Sequence, residues 1–300
     1  RNATTATRSM PSMVTMPTDS FGTGTRIRPV GQRSSADPSR LDGMSQMPLP
    51  RSLERVRPQL EASLRPCVLL ATRPDGRNAA GSSRIGGLPY LMPGEPWPAD
   101  EQGLYLFLAQ INYAELPPLE GHPREGLLRF FIGEGLPRGR VAGAGGRFRV
   151  DYLPTIDSAA SLPESASQPI ASISCPLLYP DRFHPLVGKR AMLPITYDDH
   201  RFDDLVGRTA IGVEAVEEYH QISHLNQNGA FHQLGGYPFF AQEDWRAADP
   251  DSEDYQLLLQ LDSQSEVLKW GNFGVASFWI RPEDLAARDF SRTLYHWDCI

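Results

Sequence analysis

The segment HQISH places His220 and His224 one helical turn apart, within a stretch, GVEAVEEYHQISHL (212–225), that reads as a helix. Two imidazoles at that spacing form half of a zinc site. Glu217 falls on the neighbouring face, the HExxH pattern is absent, and His232 lies eight residues further on in a different element. These are therefore expected to be surface histidines. The acidic run DDHRFDD (198–204) gathers four aspartates and His200, but it lacks the glycine and glutamate of a calcium-binding EF-hand loop. It reads as a solvated acidic loop, and no metal is expected.

Nucleophiles and phosphate cradles fare no better. There is no GxSxG, and no spacing ties Cys175 or Cys299 to His184 or His296, so buried structural thiols are expected. The glycine-rich GAGGRFR (143–149) lacks the lysine and Ser/Thr of a P-loop and does not run from a strong strand into a helix. It reads as a loop insertion. No cofactor and no catalytic residue are indicated.

What stands out is a polar residue set inside apolar strands, and it occurs twice. FLAQIN (107–112) is interrupted by Gln110 and LLLQLD (257–262) by Gln260. A buried amide must find hydrogen-bond partners. Local backbone, such as the glycine turn of the same unit, is one solution. The other places Gln110, Asn112, Gln260 and Asp262 around a shared cleft, in contact with a ligand. Trp97 and Trp245, with Tyr90, Phe239, Phe240 and Trp270, lie in or near loops, where aromatics serve either as binding hot spots or as core lids.

The elements that position these residues repeat as well. IGGLPY (85–90) aligns with LGGYPF (234–239), FLAQIN with LLLQLD, and GLLRFFI (126–132) with GVASFWI (274–280), all at an offset of 148 to 150. Trp97 follows Pro89 by eight residues and Trp245 follows Pro238 by seven. Such ordered matches predict an internal duplication, with repeats at about 67–153 and 205–300. The pairs Gly86–Gly87 and Gly235–Gly236 supply positive φ and close backbone approach, and Pro89 and Pro238 stiffen the exit. Strands are predicted at 67–72, 103–112, 126–133, 147–154, 173–180, 255–263 and 274–281. An amphipathic helix, broken at Pro58, is predicted over 49–64, and a short helix from Pro282.

Composition sets outer bounds. Hydrophobic residues make up 40% and charged residues 22% of 300 residues, as in ordinary globular proteins. No apolar run is long enough for a membrane span. Residues 1–47, rich in Ser, Thr, Pro, Gly and Arg, read as a flexible leader ahead of a single domain over 48–300. Ten arginines against five acids give residues 1–65 a net +5, so with −7 overall the remainder carries −12. An acidic body argues against nucleic acid. Three widely spaced cysteines, Cys67, Cys175 and Cys299, fit a reducing cytosol.

The motifs GGLPYLMPGEPWP, FLAQIN, GLLRFFI, HQLGGYP, YQLLLQLDS, WGNFGVASFWIRPEDLAARDFS and the closing WDC resemble the YwqG-like family, a bacterial family of unknown function. The resemblance covers roughly residues 50–300. It implies an α+β fold of internally duplicated antiparallel β-sheet units with a few flanking helices. It implies no activity, and an association of some members with polymorphic toxins. The expected function is a non-enzymatic protein-binding module of the cytosol, in its sharpest form an immunity protein that neutralises a basic toxin through electrostatic steering. The alternative is a small-molecule sensor or enzyme with its site in the cleft between repeats.

Overall fold

The computed structural model describes residues 49–74, 79–133, 139–142, 147–157, 168, 176–208, 211–212, 215–216, 218–219 and 232–300. The leader, His220, His224, Cys175 and residues 143–146 of the glycine-rich loop lie outside the described residues.

Thirteen strands are described: β1 (Arg65–Thr72), β2 (Arg84–Gly86), β3 (Ala99–Asp100), β4 (Gly103–Leu104), β5 (Leu106–Asn112), β6 (Leu127–Ile132), β7 (Gly139–Ala142), β8 (Phe148–Leu153), β9 (Phe183–Leu193), β10 (His232–Gly235), β11 (Gln256–Asp262), β12 (Val275–Ile280) and β13 (Leu294–Asp298). Apart from the small β3–β4 hairpin, they form one antiparallel sheet in the order β7-β13-β12-β11-β10-β1-β9-β2-β5-β6-β8. Helices are few and short. A 3₁₀ turn at Arg51–Val56 runs into an α-helix at Arg57–Ala62, and Pro58 sits in that helix's first turn. The expected break at Pro58 is instead a start, because the missing N–H of proline costs nothing there. No helix among the described residues is long and apolar enough to cross a membrane.

At the centre of the sheet, β1 and β9 pair along eight residues, Arg65 with Leu193 through Thr72 with Leu186. On its other side β1 pairs with β10, and β9 with β2. Each strand thus joins the run of strands that lies further from it in sequence. Two four-stranded runs extend outward, β2-β5-β6-β8 and β10-β11-β12-β13. Their first turns match. Gly86 and Gly87 have φ of 68° and 69°, and Gly235 and Gly236 have 66° and 76°. A Cβ on Gly87 would lie 2.7 Å from Cβ of Phe183 on β9, and one on Gly236 2.8 Å from Cβ of Cys67 on β1. The glycines are needed both for their dihedrals and for this approach of the neighbouring strand. Both runs also carry a register irregularity at the same place, between Phe107 and Ala109 and between Leu257 and Leu259.

Period-two alternation divides each run into an inner and an outer face. The inner faces pack against each other: the Phe130 ring lies 4.7 Å from Phe278, and Phe148 lies 5.7 Å from Tyr295. With Leu108, Ile111, Leu128, Leu258, Leu261 and Ala276, these side chains fill the space between the runs. β7 closes the arrangement. The chain leaves β6, pairs beside β13 at the far end of the sheet, and returns to β8 beside β6. A smaller apolar cluster joins Leu53, Val56 and Leu60 of the N-terminal helical segment to Ile195, Phe202 and Tyr219.

Phe278 lies against Phe130, Phe148 and Tyr295. Phe278→Ala is expected to destabilise the protein by about 3–5 kcal/mol, because the cavity cannot collapse between the two packed runs. Urea unfolding followed by tryptophan fluorescence reads this as a lower midpoint at unchanged slope.

Candidate functional site

On the outer face of the first run, the ladder register sets Arg84 opposite Gln110, Gln110 opposite Arg129, and Arg129 opposite Asp151. The loop leaving Gly86–Gly87 folds back over this polar row. Gln110 is 0% exposed. Its Oε1 accepts from Tyr90 N–H at 2.9 Å, and its Nε2 donates to the carbonyls of Ala80 and Ser82 at 2.8 and 2.7 Å. Arg129, equally buried, donates to the carbonyl of Tyr90 (2.8 Å), to both oxygens of Glu95 (3.0 and 2.8 Å) and to Asp151 (3.3 Å). Its guanidinium lies 5.7 Å from the Phe131 ring. Burial pushes the Glu95 carboxyl up, but the hydrogen bonds from Arg129 and from Met92 N–H, with the charges of Arg129 and Arg149, together outweigh it and hold it below the ordinary range. The guanidinium fork and the carboxylate match geometrically, which makes this the strong class of charged hydrogen bond.

The second run builds the same row with different residues. Gln233 stands opposite Gln260, Gln260 opposite Ser277, and Ser277 opposite His296. Gln260 Oε1 accepts from Phe239 N–H at 2.8 Å, the counterpart of the Tyr90 bond. Where the first run has Arg129, the second has Ser277, whose Oγ accepts from Trp279 Nε1 at 2.8 Å. An open cavity of about 450 Å³ lies here, lined by Gly139, Gln242, Glu243, His296 and Asp298. The His296 ring is 4% exposed, with Phe240 edge-on at 5.6 Å and Trp245 stacked at 6.4 Å. Burial lowers its pKa to about 4, so it is neutral at pH 7, and its buried Nδ1 has no hydrogen-bond partner. Asp298 accepts backbone N–H bonds from Ala241 (3.2 Å) and Gln242 (2.9 Å), while Glu243 is exposed at the rim.

The residues singled out in the sequence are distributed between the two runs. Asn112 caps a turn through Ala114 N–H and donates to the carbonyl of Gly81. Asp262 accepts from Ser263 N–H, and its own N–H donates to His232 Nδ1. Trp97 donates to the Tyr105 carbonyl and covers Phe107 and Phe131; Trp245 packs on Leu257 and Trp279. Each tryptophan lids the outer face of its own run. Gln110 and Gln260 lie on strands five steps apart, roughly 24 Å along the sheet. The four polar residues therefore do not converge, and the space between the runs is packed core. Gly86, Gly87, Pro89, Gly235, Gly236 and Pro238 make the turns that bring Tyr90 and Phe239 to the glutamines. His296, Asp298 and Glu243 were not singled out as a group. The signal was present in the offset of 148, which sets Glu243 under Glu95 and Ser277 under Arg129.

The acidic run is solvated only in part, which corrects the reading of DDHRFDD: Asp203 and Asp204 are exposed, but Asp199 is not. Asp199 is fully buried, bound by Arg201 (2.8 Å) and by Arg246 (3.0 Å), and Arg246 also holds Asp244 at 2.6 Å. Asp199, His200 and Asp244 come within 4.8 Å of one another, a spacing that could hold a metal ion. The Arg246 guanidinium already takes the cation's place between the two carboxylates. Of the thiols, Cys67 and Cys299 are free and buried, and burial pushes Cys67 up to about 12.

Asp198 behaves differently from Asp199. Burial, reinforced by the nearby Asp298 and Asp244, raises its pKa from 3.8 to about 7, against a lowering bond from the Phe240 backbone. Between those two values the native state binds more protons than the unfolded chain, so this residue's contribution to stability falls as pH rises from 3.8 to 7. Asp198→Asn is expected to remove that slope. Urea midpoints of variant and parent should agree at pH 4 and diverge in the variant's favour by pH 8.

The family described as "Domain of unknown function (DUF1963)" matches residues 83–299, which include both polar rows and the cavity. A comparison with curated proteins finds no match. The match spans well over half of the chain, and the protein belongs to the DUF1963 family.

Proposed function

We propose that the protein is a binding module that receives a basic protein partner at the cavity beside His296. The observation that carries this reading is the lining itself. Glu243 brings an exposed carboxylate, with no ion pair among the described residues, to a cavity also lined by His296, whose buried Nδ1 lacks a partner. A carboxylate without a counter-charge favours a ligand that supplies one. The net −12 over residues 66–300 extends the same preference to the approach of a partner, because like-signed fields steer opposite charge. An immunity protein acting on a basic toxin in the cytosol is the sharpest form of this reading.

Two further readings belong with it. The matching glycine turns, the matching glutamine bonds and the matching register irregularities support an internal duplication, with each copy lending its first strand to the other. The YwqG-like name is proposed for the same residues. The alternative function, a small-molecule sensor or enzyme, moves from the space between the runs to this same cavity, whose 450 Å³ falls in the range of small-ligand pockets.

Titration calorimetry of the full chain with a basic and an acidic polypeptide of equal length tests the proposal. Binding of the basic polypeptide alone is expected, weakening with salt and falling about tenfold in Glu243→Gln, as loss of one charged hydrogen bond predicts. Binding of both polypeptides alike, or of neither, would count against it.

A further inference from the structure

The first run shows what the second run's cavity is shaped to hold. We infer that the cavity is a guanidinium site, and that the chain's own Arg129 occupies the corresponding site in the first run. This inference rests on the binding-module reading and names the chemical group that the site takes.

The correspondence is fixed by ladder register. Arg129 stands between Gln110 and Asp151; Ser277 stands between Gln260 and His296. Both glutamines hold the returning loop through one N–H, that of Tyr90 and that of Phe239. Each loop then brings a glutamate over the row, Glu95 in the first run and Glu243 in the second, two residues before the lidding Trp97 and Trp245. In the first run the guanidinium binds Glu95 through both oxygens and reaches Asp151. In the second run Glu243 and His296 hold those two positions and line the cavity, and the side chain between them is only a serine. No hydrogen bond or ion pair of Glu243 is present among the described residues, so both of its oxygens are available.

The chemistry of each position suits the group. Glu243 offers a carboxylate to a planar fork of donors, a match that an ammonium ion cannot reproduce. His296, 4% exposed and without a partner at Nδ1, offers a ring nitrogen where the first run offers the Asp151 carboxylate. Phe131 lies 5.7 Å from the Arg129 guanidinium, and aromatic rings of Phe240 and Trp245 flank His296. Arg246 does not fill this place: its guanidinium is held by Asp244 and Asp199 over the Trp279 ring.

The test titrates the full chain with methylguanidinium, methylammonium, L-arginine and a blocked Gly-Arg-Gly peptide, following the His296 ring by NMR and heat by calorimetry. Methylguanidinium is expected to shift the His296 ring saturably and to bind about tenfold tighter than methylammonium. Glu243→Gln, a change at an exposed rim residue, should weaken it about tenfold. Ser277→Arg should abolish it, because the chain would then supply its own guanidinium, as Arg129 does; Glu243→Gln keeps the test decisive if that buried substitution misfolds. Tighter binding of the peptide than of L-arginine identifies a partner's side chain as the source; the reverse identifies a free small molecule, and both results support the inference. Equal binding of methylguanidinium and methylammonium would overturn the guanidinium site and leave the basic-partner reading standing. No shift with either probe would overturn both.

Discussion

The β1–β9 ladder is the constraint on which the rest of the structure depends. β1 and β9 pair with each other over eight residues, and each also forms the inner neighbour of the run more distant from it in sequence. The glycine turns that open the runs rest on these two strands, Gly87 against Phe183 and Gly236 against Cys67. Neither run can form its turn, place its glutamine or hold its loop without a strand supplied from elsewhere in the chain. The interleaving makes folding of the two runs one event, since non-local pairings must close before either outer face exists.

The outer faces show how one backbone supports two electrostatic outcomes. In the first run a buried arginine is matched by Glu95 and Asp151, and Asp151 is shared with Arg149 at 2.7 Å. A buried charge persists only when it is paired and fully hydrogen-bonded, and removing one partner is strongly destabilising. In the second run Ser277 withdraws the cation, and burial keeps His296 neutral. The Glu243 carboxylate at the cavity rim therefore has no ion pair among the described residues. Nearby, Arg246 and Arg201 neutralise Asp199 and Asp244.

Much of this was legible in the sequence, and the omissions have definite causes. Glycine turns and interrupted apolar strands are local signals, so the strands containing Gln110 and Gln260 were found with their local hydrogen-bonding role as one of two readings. The central strand β9 was not. Its sequence FHPLVGKRAML carries Pro185 and Gly188 and adjacent charges, all signs of a break. Gly188 is there because a Cβ would lie 2.6 Å from Leu116 and 2.7 Å from Val68, a reason that only the fold supplies. The run DDHRFDD looked solvated because Arg246, which buries Asp199, lies 47 residues away. β13 went unassigned for lack of a clean alternation, and with it the place of His296. The cavity needed the comparison of two rows across strands, which no single segment displays.

β7 has a further consequence. It is drawn from the segment between β6 and β8, yet it pairs along β13, at the opposite end of the sheet. An uncovered β13 would present a row of unsatisfied N–H and C=O groups, a template for edge-to-edge pairing between molecules. A short segment inserted between two strands of one run, Gly139–Ala142, thus covers the backbone edge that the other run would otherwise expose.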